Sequence, residues 1–233
     1  MNMSVLKDGF KASLPIIAGY IVLGLPCGLL CQQAGINALE SFVMSMTFYS
    51  GAGQYMIPNM WLAAANPLSI IASVSLVNTR QTLYSASLSQ YCTGCSKRLA
   101  FLFSATVTDE SFGVNLAQFQ NGGWDVARAT VVNLCSMTTW ALANVSGVVL
   151  GSLVSVPTAL ASFAMTAIFI CLLCMQKVNA VHLVTMLTAA AGVVVCKLVG
   201  LSGAAILLGA VAGVLAGYLF SSLALHSGSG KEA

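Results

Sequence analysis

The sequence predicts an all-α membrane protein, a polytopic bundle of seven to eight membrane segments with one broken or re-entrant helix. Three observations predict it. Of the 233 residues, 58% are hydrophobic and 6% charged, against roughly a quarter charged in a soluble domain, so lipid must cover the outside. Apolar stretches near the roughly twenty residues a bilayer span needs recur at 13–32, 39–64, 67–90, 99–119, 128–153, 157–176, 180–199 and 203–225. One of them, 39–64, is interrupted by Ser50-Gly51-Ala52-Gly53-Gln54 and then by Pro58.

Taken in order, the first stretch follows Lys7 and Lys11. No small-residue cleavage motif follows it, so it is expected to be a mature segment with a cytoplasmic N-terminus, the side on which flanking positive charge is retained. The second stretch carries the break. Glycines and a proline in mid-segment interrupt a helix, and the freed backbone groups cannot be left facing lipid, so the segment must line a protein cavity or a ligand. If 39–64 crosses fully, Lys97 and Arg98 fall opposite Lys7 and Lys11. If it enters and returns, all four charges share the cytoplasmic side, which the positive-inside bias prefers. In that version Ser96 and Gly123 lie on opposite sides of the membrane.

Linkers are short, and only the loop around Asn121 to Asp125 and the tail look solvated. The expected organisation is one transporter domain over 1–226 and a polar tail over 227–233. A shift of 121 positions aligns Leu39, Ser41, Phe42, Met44 and Phe48 with Leu160, Ser162, Phe163, Met165 and Phe169, each set following a GxxxG pair, Gly24/Gly28 and Gly147/Gly151. Such a repeat, with an odd number of crossings in its first unit, would be inverted.

Net charge of +3 is scattered, with no basic patch, which argues against nucleic acid. The eight cysteines include the spacings Cys92/Cys95 and Cys171/Cys174. Neither has the His, Asp or Glu that would complete a four-ligand site, so these thiols, with Cys27 and Cys31 one turn apart, are expected to be structural. No metal or cofactor is expected.

Arg80, Asp109 and Glu110 are the charges that do not sit at segment ends. Arg80 lies ten residues before the end of 67–90 and Asp109 ten residues after the start of 99–119. One short loop joins the two segments, so both side chains lie about 15 Å from it, at matching depth. A lone charge there costs at least ~2.5 to 3.5 kcal/mol, so an ion pair is expected. Asp109 and Glu110 project about 100° apart on a helix, and one arginine does not neutralise both. The remaining carboxylate is expected to hold a proton or meet a cation.

At these residues the chain resembles the AzlC family, the large subunit of bacterial branched-chain amino-acid exporters. The motifs are Gly24-Leu25-Pro26-Cys27-Gly28, the break at Ser50 to Gln54, the stretch Val77-Asn78-Thr79-Arg80-Gln81-Thr82-Leu83-Tyr84-Ser85, and Thr108-Asp109-Glu110-Ser111-Phe112. Trp140, Gly147, Gly151 and Phe163 to Phe169 follow in order. The family usually has histidine after the arginine, where this chain has Gln81. The resemblance implies export of leucine, isoleucine and valine across the bacterial cytoplasmic membrane, together with a small AzlD-type membrane subunit. Gly209, Gly213 and Gly217 form a small-residue stripe that would let such a partner approach closely; packing within the chain is the alternative.

The function expected is transport of neutral, apolar amino acids. Asp109 or Glu110 would meet the substrate ammonium and couple a proton. Its carboxylate would meet Arg80, or the helix start at Gly51, Gly53 and Gln54, with Asn78 beside them. Met44, Phe48 and Met56 would flank the apolar side chain. An uncoupled channel and a non-transporting assembly subunit are the rival functions. An enzyme is not expected, since there is no Gly-x-Ser-x-Gly or His-Glu-x-x-His, and His182 and His226 have no evident catalytic partner.

Overall fold

Two long helices running in the same direction form the spine of the chain. In the computed structural model, α1 (Met3–Gln33) and α7 (Val126–Leu153) touch at a constant offset of 119 or 120 residues. Arg128 pairs with Asp8 at 3.0 Å, Gly24 lies against Ala143, Gly28 against Gly147, and Gly151 against Gln32. Contacts that advance together along both chains mean parallel helices. The two GxxxG pairs are therefore halves of one interface: a Cβ on Gly28 would run into the Asn144 carbonyl, and one on Gly147 into the Leu25 carbonyl. Tyr20, Cys27, Leu30, Cys31, Val132, Trp140 and Val148 form the core between and beside these helices.

The structure describes residues 3–154, 179–200 and 205–228, with positions 157, 159, 163, 166, 167, 170 and 174 between them. These described residues are all-helical, arranged as two compact units: 1–64 with 77–168, and 65–76 with 169–233. Most of the expected segment 157–176, the repeat positions Leu160, Ser162, Met165 and Phe169, Cys171, and most of the polar tail lie outside the described residues.

In the first unit the expected broken segment, 39–64, is a helical hairpin. Helix α2 (Ala38–Thr47) is started by an Asn37/Glu40 capping box and runs back toward Trp140. After Phe48 to Ser50 the chain turns, and α3 (Gly51–Leu62) runs out again: Gly51 lies near Trp140, while Tyr55 donates to the Leu23 carbonyl and packs with Cys27 and Cys31. The second hairpin consists of α5 (Lys97–Ala105) and α6 (Asp109–Asn121), turning at Thr106 to Thr108. Helices of ten, twelve, nine and thirteen residues are about 14 to 20 Å long, half to two-thirds of a ~30 Å hydrocarbon core. The segment 39–64 thus turns back, as the charge bias prefers. The expected full crossing over 99–119 is corrected, because this segment turns back too.

Between the hairpins, α4 (Pro67–Leu88) runs antiparallel to α1. Its residues from 77 group with the first unit and its beginning with the second. Leu88, Phe103, Val107, Val126 and Ala129 cluster with Tyr91, Leu99, Phe119 and Trp124. The loops on either side of the second hairpin therefore share one end of the unit, and Ser96 and Gly123 lie at the same end rather than opposite ends. Lys7, Lys11, Lys97, Arg98 and Arg128 gather there as well. The order of long helix then hairpin occurs twice, α1–α2–α3 and α4–α5–α6, with opposite direction. The inverted relation expected between segments 121 residues apart is not seen in the helices, since α7 runs parallel to α1.

In the second unit, α8 (Ala180–Leu198) and α9 (Ala205–Gly228) pack antiparallel. Gly209 lies against Ala189 and Val193, Gly213 against Thr185 and Ala189, and Gly217 against Thr185. The glycine stripe expected to receive a partner is thus taken up by α8. Among the described residues α1, α7 and α8 are long and apolar enough to span a membrane. Among the described residues fewer than the expected seven or eight membrane segments are full spans by length and composition, since four of the helices are hairpin arms and α4 carries Asn78, Arg80 and Gln81 in its middle.

Candidate functional site

Both hairpin tips are helix starts held in the interior of the first unit. Ser50 caps α3, its hydroxyl accepting from the Gly53 N–H at 3.1 Å. Thr108 caps α6: its hydroxyl accepts from the Ser111 N–H, while its own N–H donates to Ser111 Oγ at 2.9 Å. Such caps satisfy N–H groups that a helix start leaves orphaned, which lipid could not do. Each start also carries partial positive charge. Helix α6 offsets it with Asp109 and Glu110 in its first turn, whereas α3 begins Gly51-Ala52-Gly53 with no acidic residue.

The charged centre lies at the second tip. Arg80 Nη2 donates to Asp109 Oδ2 at 2.8 Å, with 26% and 19% of the two side chains exposed, and the Tyr84 hydroxyl donates to Asp109 Oδ1 at 2.7 Å. Tyr84 also stacks on Phe112 of α6 with ring centroids 4.6 Å apart. The pair expected from matched depth is present. Glu110 has a partner too: the Tyr20 hydroxyl donates to its Oε2 at 2.7 Å and lies 2.9 Å from Thr108 Oγ1. Tyr20 is buried in mid-α1 and was not legible as a site residue. The available signal was one hydroxyl-bearing ring seventeen residues into an apolar helix.

The first tip is tied to α4 by Ser50 Oγ donating to Asn78 Oδ1 at 2.6 Å and Gln81 Nε2 donating to the Tyr49 carbonyl at 3.3 Å. Gln54 is fully buried. It accepts from Ser45 Oγ at 3.0 Å and Trp140 Nε1 at 2.9 Å, and donates to the Phe48 and Met44 carbonyls. With both amide atoms engaged, Gln54 holds the hairpin shut. Gly53 lies against the Phe48 ring, while Gly51 leaves ordinary contact room to Trp140. Of the three apolar residues expected to flank the break, Met44 and Met56 are packing residues and Phe48 lines a cavity.

That cavity, of about 470 Å³, lies between α4, the first tip and α5, lined by Phe48, Asn78, Gln81, Ser85, Phe101 and Val107 among others. At about 100° per residue, Asn78, Gln81, Thr82 and Ser85 share one face of α4, and Arg80 and Tyr84 lie on another. The second tip, through Val107 and Asp109, borders both sides. In the short turn of helix that follows α4, burial pushes the Cys92 thiol up.

Residues 15–154, which hold both tips, the ion pair and the α1–α7 interface, match the family model of the AzlC protein. The chain belongs to the AzlC family. A membrane protein of Helicobacter pylori strain J99 is 32% identical over 85% of this chain and 87% of its own length. The branched-chain amino acid transport protein AzlC of Bacillus subtilis is 28% identical over 72% of this chain and 66% of its own. The inner membrane protein YgaZ of Escherichia coli is 32% identical over 64% of this chain and 62% of its own. No solved structure matches. Within the AzlC-matched region the structure joins Arg80 to Asp109 with Glu110 next to it at the second tip, and separately joins Asn78 to the first tip, which holds Gly51, Gly53 and Gln54, while Gly209, Gly213 and Gly217 fall outside the matched region.

Proposed function

We propose that this chain is the large subunit of a secondary transporter that exports branched-chain, neutral amino acids across the bacterial cytoplasmic membrane, coupled to protons and working with a small AzlD-type subunit. The observation that carries the reading is the Arg80–Asp109 pair with Glu110 beside it, at the start of a half-helix that ends inside the protein. Broken helices with interior ends mark substrate sites in transporters, and an intramembrane ionisable cluster is functional by default. The name of the Bacillus subtilis relative supports the substrate class.

A zwitterion needs an acceptor and a donor. Asp109 or Glu110 meets the ammonium. Arg80, or the uncompensated start of α3, meets the carboxylate, with the Asn78 amide at its edge. The 470 Å³ cavity is within the range of small-ligand sites and takes the apolar side chain against Phe48, Phe101 and Val107. Cavity and ion pair lie on different faces of α4, so engaging one substrate with both calls for movement of the second tip, as alternating access requires. The gathered positive charges support a cytoplasmic N-terminus and cytoplasmic loops flanking the second hairpin.

Efflux of radiolabelled leucine, isoleucine and valine tests the reading, using preloaded cells that lack the chain or overproduce it with its small partner. Faster efflux with the chain is expected, with dependence on the proton gradient. Equal efflux in both sinks it.

A further inference from the structure

Tyr20 is placed to do more than pack. Its side chain is buried, with 4% exposed, yet its hydroxyl bonds two residues of the second tip, Glu110 and Thr108. Its ring sets an edge against Tyr49 of the first tip, centroids 6.5 Å apart, and against Trp140 of α7, centroids 5.1 Å apart. Trp140 in turn donates to Gln54, which closes the first hairpin. One side chain on α1 thus touches both tips and Trp140, which bonds the residue that closes one of them.

The hydrogen-bond inventory makes this contact directional. A tyrosine hydroxyl has one proton. While Glu110 is a carboxylate, that proton goes to Glu110, and the Thr108 hydroxyl must donate to the Tyr20 oxygen. Once Glu110 is protonated it becomes a donor, and the Tyr20 proton turns to Thr108 Oγ1. Thr108 Oγ1 is the cap of α6 and lies 3.3 Å from Ser111 Oγ, so the chain of bonds reverses at the helix start. Glu110 is itself exposed, so a proton can reach it.

We propose that Tyr20 is the positioning residue through which the proton on Glu110 sets the arrangement of both hairpin tips. The inference rests on the transport reading, with Glu110 as the group that takes the proton. The titratable and charged groups around Glu110 are Tyr20 on α1, Tyr49 in the first tip, Arg80 and Tyr84 on α4, and Asp109 on its own helix. Arg80 and Tyr84 are committed to Asp109, which leaves Tyr20 as the group that hydrogen-bonds Glu110 and touches the first tip.

The test uses the full chain with Trp61→Phe and Trp124→Phe, so that Trp140 is the one remaining tryptophan and reports its contact with Tyr20. Its fluorescence is followed through a pH titration in lipid nanodiscs. The parent should show one transition, Glu110→Gln should abolish it, and Tyr20→Phe, which keeps the ring, should reduce its amplitude at least fivefold at unchanged melting temperature. A Tyr20→Phe protein that titrates like the parent overturns the proposal, as does a parent without a transition or a transition that survives Glu110→Gln. In proteoliposomes the pH profile of leucine counterflow should flatten in Tyr20→Phe. Absence of counterflow in the wild type strikes the transport reading, while the fluorescence titration still judges Tyr20 by itself.

Discussion

The rings of Tyr91 and Phe119 stack with centroids 4.3 Å apart and planes 6° from parallel. Tyr91 precedes the second hairpin and Phe119 nearly ends it, so the stack holds the hairpin's entry and exit at one end of the unit.

Side-specific labelling follows from this. With the native cysteines replaced, Gln90→Cys and Asn121→Cys should react with an impermeant thiol reagent from the same side of the membrane, and Ala63→Cys, beyond the end of α3, from the other. Labelling of Gln90→Cys and Asn121→Cys from opposite sides would show that 97–121 crosses.

The α1–α7 interface sorts its glycines. At Gly28 an added methyl meets the Asn144 carbonyl and the Gly147 backbone, and at Gly19 it meets nothing within 4 Å. Gly28→Ala must push the paired helices apart and should cost about 1 to 3 kcal/mol, as overpacking does. Gly19→Ala should be neutral or gain up to about 1 kcal/mol of helix propensity. Melting in detergent, read by the loss of monodisperse protein, checks both; equal melting temperatures for the two variants would refute the close approach.

The first tip discriminates two glycines that sequence alone treats alike. Gly53→Ala puts a methyl 2.9 Å from the Phe48 ring, whereas Gly51→Ala finds Trp140 at 3.7 Å. Gly51→Ala should keep at least half of wild-type amino-acid flux. Gly53→Ala should displace Phe48 from the cavity and lower flux at least tenfold while expression persists. A reversed order would mean that the tip is not packed as described.

The two breaks differ in how visible they are in the sequence. Gly51, Gly53 and Pro58 announce the first. The second, at Thr106 to Thr108, has no glycine or proline; its trace is a hydroxyl three residues before another with acids between, Thr108-Asp109-Glu110-Ser111, a helix-start pattern hidden inside an apolar run. The depth match between Arg80 and Asp109 nevertheless held, because α5 runs inward by the same amount whether or not the chain then turns back. The glycine stripe of α9 shows the converse. Small residues record that a backbone comes close, but not whose, and α8 proved to be the neighbour. Tyr20 was illegible because its importance comes from contacts with Tyr49, Thr108 and Glu110, which are 29, 88 and 90 residues away in sequence, and helical periodicity carries no information on such contacts.

The charged centre supplies the last prediction. Arg80 and Asp109 share a bond of 2.8 Å while about a quarter and a fifth exposed, so removing Arg80 strands a carboxylate that has lost most of its water. Breaking such a pair costs about 3 to 5 kcal/mol when fully buried. The Tyr84 hydroxyl still donates to Asp109, which puts Arg80→Gln at the low end of that range and predicts poor expression. Arg80→Gln with Asp109→Asn removes both charges and should restore expression, since an amide pair can keep a neutral hydrogen bond at that depth. Transport separates the two roles of the pair. A pair that only locks α4 to the second tip predicts that flux returns along with expression. A pair that also meets a zwitterion predicts folded protein with flux at least a hundredfold down, because the substrate carboxylate then loses Arg80 and its ammonium is left with Glu110, which the Tyr20 hydroxyl already engages. Leucine counterflow by the purified double variant, compared with wild type at equal protein, decides it, and full flux would remove Arg80 and Asp109 from the substrate site.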